Sequence, residues 1–338
     1  MFYPVFLTFF RPAPRGNRGR SRKSRHTGTS FTDLKRNSNV FTTIARLWTG
    51  GAARDVIERM YLALNGVLVS GRVKWPEFAR LAARTGYLGT DVMLGDAMKD
   101  GADKTRELLA GLGVRPAVAD FPVEFRKDEA TFRAGLDNLD ASARFMSGIG
   151  CPRMFTWIMS SSDTPRDELR RLYKQRFTEC AGILRRSGVR LGLEFLGPLH
   201  LRKQMAYEFI WKMGDMLEFA KECGPNVGLN LDAWHWYHAG GTTEDIVRAG
   251  VERIVHIHFD DAAAMPPEHV RDNERLMPGD GVIDLVGFLH ALAKIGYRDA
   301  LSIEIFGKFV QAMTPEQAAR TGLEKARAVF AKAGLKEE

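Results

Sequence analysis

The chain has 338 residues, 45% of them hydrophobic, and a formal net charge of +8. That length allows one large α/β barrel or two smaller domains, and no apolar run approaches the ~20 residues of a membrane-spanning helix. The positive charge would suggest a polyanion partner, but Met1 to Arg59 holds 12 Lys and Arg against 3 Asp and Glu, leaving 37 against 38 for Met60 to Glu338; a near-neutral body weighs against nucleic acid.

The first 59 residues read as a basic low-complexity extension. "MFYPVFLTFFRPAPRGNRGRSRKSRHTGTS" places a short apolar start before a cluster of arginines, the reverse of a secretory signal. Rich in Arg, Ser and Gly, it cannot bury enough apolar surface to fold and is expected to be disordered. A transit segment or a nucleic-acid arm shares this composition. The blander reading is a translation start at Met60, because "MYLALNGVLVSG" enters a strand at once. No function is built on this arm.

From Met60 the chain repeats one unit: an amphipathic helix, a glycine, a turn, then a β-rich run. Gly86, Gly113, Gly150, Gly188, Gly224, Gly250 and Gly296 each stand where a helix C′ residue takes a left-handed conformation. Seven strands follow them, and the opening run Tyr61 to Val69 makes eight. Pro76, Pro165 and Pro315 mark helix starts, and a last helix, Pro315 to Ala333, closes before Gly334. Strands such as "VRLGLEFL" and "RIVHIHF" are mainly apolar, as helix-covered strands must be. Residues 60–338 are therefore expected to form a single (β/α)8 TIM barrel catalytic domain. A doubly wound sheet is the alternative, but no GxGxxG follows the first strand.

Four candidate ligands share one height in this repeat. Counted from its capping glycine, Glu194 lies 6 residues on, and Asp232, His258 and Glu304 each lie 8 on. Even offsets put side chains on one face of a strand, near the C-terminal barrel end where active sites are built. Three carboxylates and an imidazole packed together repel one another without a cation. An oxygen-rich set with one nitrogen points to a divalent ion, Mn2+ first, with Co2+, Mg2+ and Zn2+ as alternatives. The bland alternative has Asp232 and Glu304 capping loops or pairing with arginines while His258 is a core histidine. For one residue alone the bland reading wins; for four at matched positions it loses.

Other residues carry weaker signals. His256 shares parity with His258 but lies one pleat deeper and reads as a core histidine. His200 and His238 lie in loops after strands. Trp157, Trp234 and Trp236 could wall a cleft against a ring-shaped substrate, although strand-end tryptophans are commonly packing residues. Cys151, Cys180 and Cys223 are too few and too widely spaced for a disulfide framework, which fits the cytoplasm.

At these residues the chain resembles the sugar phosphate isomerase/epimerase superfamily, the xylose isomerase-like TIM barrels, and within it the keto-inositol isomerases. "LEFLGP" carries Glu194, "LDAWHW" Asp232 and His235, "HFDDA" His258, and "SIEIF" Glu304. "NERLMPGDGVIDL" is similar to the family's Arg-x-x-Pro-Gly-x-Gly segment, here with Arg275, and Asn65 in "LALNG" matches an asparagine on the first strand. The resemblance covers Met60 to the C-terminus and is concentrated in the second half. It implies a metal held by Glu194, Asp232, His258 and Glu304. It also implies Glu194 and Glu304 as acid and base, and His235, Arg275 and Asn65 on the substrate. The implied reaction is isomerisation or epimerisation beside the carbonyl of a small keto-sugar or keto-cyclitol through an enediolate. A dehydratase or lyase, including 3-keto-glycoside cleavage, uses the same intermediate. Abasic-site DNA endonucleases share the fold but collect ligands for several metals and need a basic footprint. Asp261 is a candidate partner behind the ligands. Self-association is left open.

Overall fold

The computed structural model describes residues 59–338. The expectations for the basic extension, its disorder and the alternative start at Met60, concern residues 1–59 and lie almost wholly outside the described ones. Eight parallel strands close into a barrel, each beside its neighbours in sequence: β1 (Tyr61–Leu64), β2 (Gly89–Val92), β3 (Arg115–Asp120), β4 (Arg153–Ile158), β5 (Arg190–Phe195), β6 (Val227–Asp232), β7 (Ile254–His258) and β8 (Ala300–Ile303). Closure is made by β1 on β8, with Tyr61 beside Ala300 and Leu64 beside Ile303. Parallel neighbours need a crossover. Helices supply it: α1 (Glu77–Thr85), α2 (Ala102–Leu112), α3 (Glu129–Gly148), α4 (Arg166–Arg186), α5 (Met213–Cys223), α6 (Thr243–Ala249), α7 (Leu285–Lys294) and α8 (Pro315–Lys332). The expected (β/α)8 barrel is the fold observed.

Two local expectations need correction. β1 ends at Leu64, not Val69, because the Asn65 side chain accepts the Val67 N–H at 2.7 Å and turns the chain. Of the seven punctuating glycines, six have φ between 67° and 92°. Gly224 is the exception, with φ 161°, ψ 162°. Pro225 follows it, and a residue before proline is pushed away from helical backbone and towards extended conformations.

The apolar mass lies between strands and helices. α8 shows why: a capping box of Thr314 and Gln317 starts the helix with Pro315 at its first position, and Ala319, Leu323, Ala326, Val329 and Phe330 recur at helical spacing on its buried side. Inside the barrel the floor is filled by Tyr61, Ala63, Ala117 and Ala300. Gly89 is required there, since a Cβ would stand 2.6 Å from the Tyr61 ring. Arg153 pairs with Asp299 at the same end. With small and aromatic groups at the bottom, the upper barrel is left to polar side chains. Among the described residues no helix is long and apolar enough to cross a membrane.

Candidate metal centre

Strand register decides which side chains meet. Asp232 on β6 lies beside His258 on β7, and His258 lies beside Ser302 on β8, so Glu304, two residues further, keeps the same face one pleat higher. Glu194 on β5 lies beside Trp157 on β4. The four expected ligands, Glu194, Asp232, His258 and Glu304, are all buried and offer atoms that all lie within 4.8 Å of one another. The shared parity therefore converges in space. His258 Nδ1 stands 3.3 Å from Glu194 Oε1, 3.6 Å from Asp232 Oδ2 and 3.1 Å from Glu304 Oε2. Ligand atoms about 2.1 Å from one ion stand about 3.0 Å apart at right angles and about 3.4 Å apart at tetrahedral angles. The donor set fits a single divalent cation.

One arginine also enters this cluster. Arg275, 4% exposed, places Nη1 2.6 Å from Asp232 Oδ2, 2.7 Å from Asp260 Oδ2 and 2.9 Å from Glu304 Oε2, while Nη2 lies 3.0 Å from Asp272 Oδ1. The arginine pairing considered for Asp232 and Glu304 is thus real, but it does not account for Glu194. That carboxylate meets His258 and the Asn230 amide, whose Nδ2 donates to Glu194 Oε1 at 3.2 Å. Four buried carboxylates, Asp232, Asp260, Asp272 and Glu304, thus gather around one guanidinium, and a fifth, Glu194, joins the cluster through His258. That excess of negative charge in a desolvated place is what a divalent ion offsets.

The titrating groups respond accordingly. Burial pushes Glu194 up to about 7 against the pull of His258. Burial acts the same way on Asp232, but Arg275 and His235 outweigh it and hold the carboxylate well below its ordinary range. For His258 burial favours the neutral ring, yet Glu304 and Glu194 reverse this and raise it well above an ordinary imidazole. Burial raises Asp260 well above its ordinary value, with the neighbouring charge of Asp232 adding to it.

Local structure explains the placement of His235. Asp232 ends β6 and caps the short helix Ala233–His238, its Oδ1 accepting the His235 N–H at 2.8 Å while Oδ2 faces the cluster. One carboxylate thus orients both the ligand set and the next histidine. Gly197, after β5, passes so close that a Cβ would stand 2.3 Å from the His235 carbonyl oxygen. His235 is buried, and desolvation keeps its ring neutral. Its Nε2 lies 3.1 Å from Arg275 Nη2, a donor only, so Nε2 accepts and Nδ1 carries the proton.

Several expectations are redirected. Asp261 does not stand behind the ligands: its oxygens accept the backbone N–H groups of Ala262, Gly279, Gly281 and Ile283 and staple the Pro-Gly segment after Arg275. Its neighbour Asp260 takes the inward role, accepting from Arg275 and from the Trp234 N–H at 3.0 Å. The signal was present, since Asp260 shares the even parity of His258. Trp236 packs on Phe288 with ring centroids 5.2 Å apart, and Trp234 is buried against His238. Trp157 remains partly open. Asn65 follows the last residue of β1, its Oδ1 already engaged by the Val67 N–H. His256 is a core histidine, its Nε2 2.9 Å from Ser302 Oγ. His200 and His238 are both pushed down to about 4 by burial.

Two carboxylates from the first half of the barrel were not foreseen. Asp91 on β2 accepts from Ser302 Oγ at 2.6 Å, and burial raises it to about 7. Asp120 ends β3 beside Phe155, whose ring stands edge-on to His258 at 4.8 Å. The side chain of Asp120 stays open to solvent at the rim of the barrel.

Comparison with known proteins is consistent with this geometry. A family model described as xylose isomerase-like TIM barrel matches residues 79–329. An inosose isomerase of Bacillus velezensis is 30% identical over 175 residues, 51% of this chain and 59% of that protein. The match thus spans less than two thirds of that relative's length. A 3-dehydroshikimate dehydratase of Pseudomonas putida is 27% identical over 273 residues, 78% of this chain and 41% of its own. The solved structure of a xylose isomerase domain protein from Alicyclobacillus acidocaldarius superimposes with a TM-score of 0.75 at 30% identity, covering 81% of this chain and 99% of the other.

Proposed function

The chain belongs to the xylose isomerase-like TIM barrel family, and on that premise we propose that it is a divalent-metal-dependent isomerase or epimerase. It acts next to the carbonyl of a small keto-sugar or keto-cyclitol, through an enediolate. The observation that carries this reading is the convergence of Glu194, Asp232, His258 and Glu304 from four successive strands. Glu194, Asp232, His258 and Glu304 would hold the ion, Mn2+ in this reading. When bound, it polarises the carbonyl and favours the negative charge that develops on oxygen as the neighbouring C–H loses its proton.

The chain's own groups do the rest. One of Glu194 and Glu304 takes the proton from the carbon beside the carbonyl, and the other returns a proton to the adjoining carbon, or to the opposite face of the same carbon in an epimerisation. Arg275 and His235, side by side at 3.1 Å, hold hydroxyl or developing oxyanion oxygens, and Asn65 offers its amide from the end of β1. The three free, buried cysteines fit a cytoplasmic enzyme.

A dehydratase is the second reading, favoured by the dehydroshikimate dehydratase match that covers 78% of this chain. It shares the first proton transfer and then expels a β-hydroxyl. Incubation of the Mn2+-loaded protein in D2O with 2-keto-myo-inositol, keto-hexoses and 3-dehydroshikimate, followed by NMR, separates the two. Deuterium entering beside the carbonyl with net isomer or epimer supports the first reading; loss of water supports the second. Absence of exchange in every substrate removes both. Glu304→Gln should abolish the exchange, and full activity in that variant would take Glu304 out of the acid/base role.

A further inference from the structure

The four ligand heads are held in two pairs. Arg275 engages Asp232 and Glu304; Glu194 and His258 share a different partner. Asn230 on β6 is fully buried, and its Nδ2 donates to Glu194 Oε1 at 3.2 Å while standing 3.2 Å from His258 Nδ1. Glu194 Oε1 and His258 Nδ1 are themselves 3.3 Å apart, within the spacing that one ion imposes on its ligands. Turning the amide over would set its oxygen against a carboxylate oxygen, acceptor to acceptor, so the donor side faces the ligands. Oδ1, also buried, has no hydrogen-bond partner among the described residues; the amide forgoes a bond of its own. Two features of the strands allow this reach. The pairing of β6 with β7 shifts between Leu229 and Asn230, an irregularity of the kind that re-aims a side chain, and sets Asn230 beside His256, one pleat below His258. On β5 the residue one pleat below Glu194 is Gly192, where a Cβ would stand 3.0 Å from Asn230 N and 3.2 Å from Asn230 Cβ.

We propose that Asn230 is a positioning residue of the metal centre, whose amide sets the Glu194 and His258 heads at ligand spacing before an ion arrives. This rests on the metal-dependent reading above and adds how two of its ligands are held. Glu194 and His258 stand on β5 and β7, which are not neighbours; β6 lies between them. Nothing in strand pairing fixes the distance between those two heads, and a side chain from the intervening strand does. Left free, a glutamate and a histidine would each lose rotamer freedom when the ion binds, a cost that a hydrogen bond made beforehand reduces. Glu194 Oε2 takes part in neither contact, so fixing Oε1 leaves the second oxygen to exchange the proton assigned to Glu194. Asn230 is buried beneath the ligands and acts through them.

The test compares the full-length protein with Asn230→Leu, which keeps a side chain of similar shape and removes the donor. Asn230→Ser, smaller and too short to reach Glu194, serves if leucine does not pack. Melting in EDTA reads the fold separately from the centre. Mn2+ affinity is measured by electron paramagnetic resonance of the free ion, and Co2+ loaded in its place gives a visible spectrum that reports ligand geometry; neither readout needs a substrate. The variants should bind Mn2+ about 10- to 100-fold more weakly, the usual effect of removing a group that orients a metal ligand, and the Co2+ spectrum at saturation should change in shape. With any keto substrate that wild type exchanges in D2O, kcat should fall at saturating Mn2+ while KM is kept. Wild-type Mn2+ affinity in the variants, or a weaker affinity with the Co2+ spectrum unchanged, would overturn the proposal, the second outcome showing that Asn230 supports only the fold. Metal binding that depends on Asn230 in a protein that exchanges no substrate would support the assignment of Asn230 and remove the isomerase reading.

Discussion

Arg275→Met tests the charge balance of the centre. In the metal-free protein Arg275 neutralises Asp232, Asp260, Glu304 and Asp272 at 2.6–3.0 Å from inside the barrel. Removing one partner of a buried ion pair costs about 3–5 kcal/mol. For a domain of this size, about 2–4 °C of melting temperature corresponds to each kcal/mol, so the variant should melt about 6–20 °C below wild type in EDTA. Mn2+ changes the comparison, because in wild type the ion competes with the guanidinium for Asp232 and Glu304, and in the variant it does not. If that raises its affinity tenfold, a concentration that stabilises wild type by about 2.7 kcal/mol stabilises the variant by about 4.1 kcal/mol. The gap between the two proteins should therefore narrow by about 3–6 °C. Thermal denaturation followed by circular dichroism, across a Mn2+ titration, measures both differences. A gap that stays constant or widens with Mn2+ would mean that arginine and ion do not share the same carboxylates.

Proton release gives a second prediction. Metal binding needs Glu194 ionised and His258 Nδ1 free, but burial pushes Glu194 up to about 7, and the surrounding glutamates hold His258 well above its ordinary value. Mn2+ affinity should therefore rise with pH, by roughly tenfold per unit for each proton displaced, and still be rising above pH 7. Calorimetry in buffers of different ionisation enthalpy counts those protons; an affinity flat from pH 6 to 8 would contradict the assignment. Asp261→Ala removes the acceptor of four backbone N–H groups. It should cost at least about 2 kcal/mol and expose residues 277–283 to protease while far-ultraviolet circular dichroism is retained; wild-type resistance there would show that the staple does not hold the segment.

Much of the barrel was legible because it rests on local rules. Glycines end helices where the chain must turn left-handed, and apolar runs follow them at regular intervals, so all eight strands could be placed from sequence. The ligand set was legible for a related reason: β5 to β8 each reach the same end of the barrel, and the even offsets of Glu194, Asp232, His258 and Glu304 survive into the closed sheet. Asp260 passes the same parity test and was overlooked in favour of Asp261, whose actual work, collecting backbone N–H groups from Gly279 to Ile283, depends on a loop return that no local pattern announces.

The first half of the barrel resisted the same counting for a physical reason. Asp91 lies 5 residues after Gly86 and Asp120 lies 7 after Gly113, odd offsets that would send both carboxylates outward if every strand began in the same register. The pairing of β2 with β3 shifts between Thr90 and Val92. A shift of one residue reverses the face of everything beyond it. β6 and β7 also shift, between Leu229 and Asn230, yet Asp232 still lies beside His258, so parity counted from a helix cap has to be checked against the neighbouring strand. Where a bulge intervenes, the inward face has to be read from the neighbour: Asp120 is turned to the mouth because Phe155 beside it is, and Asp91 because Ser302 reaches it from β8.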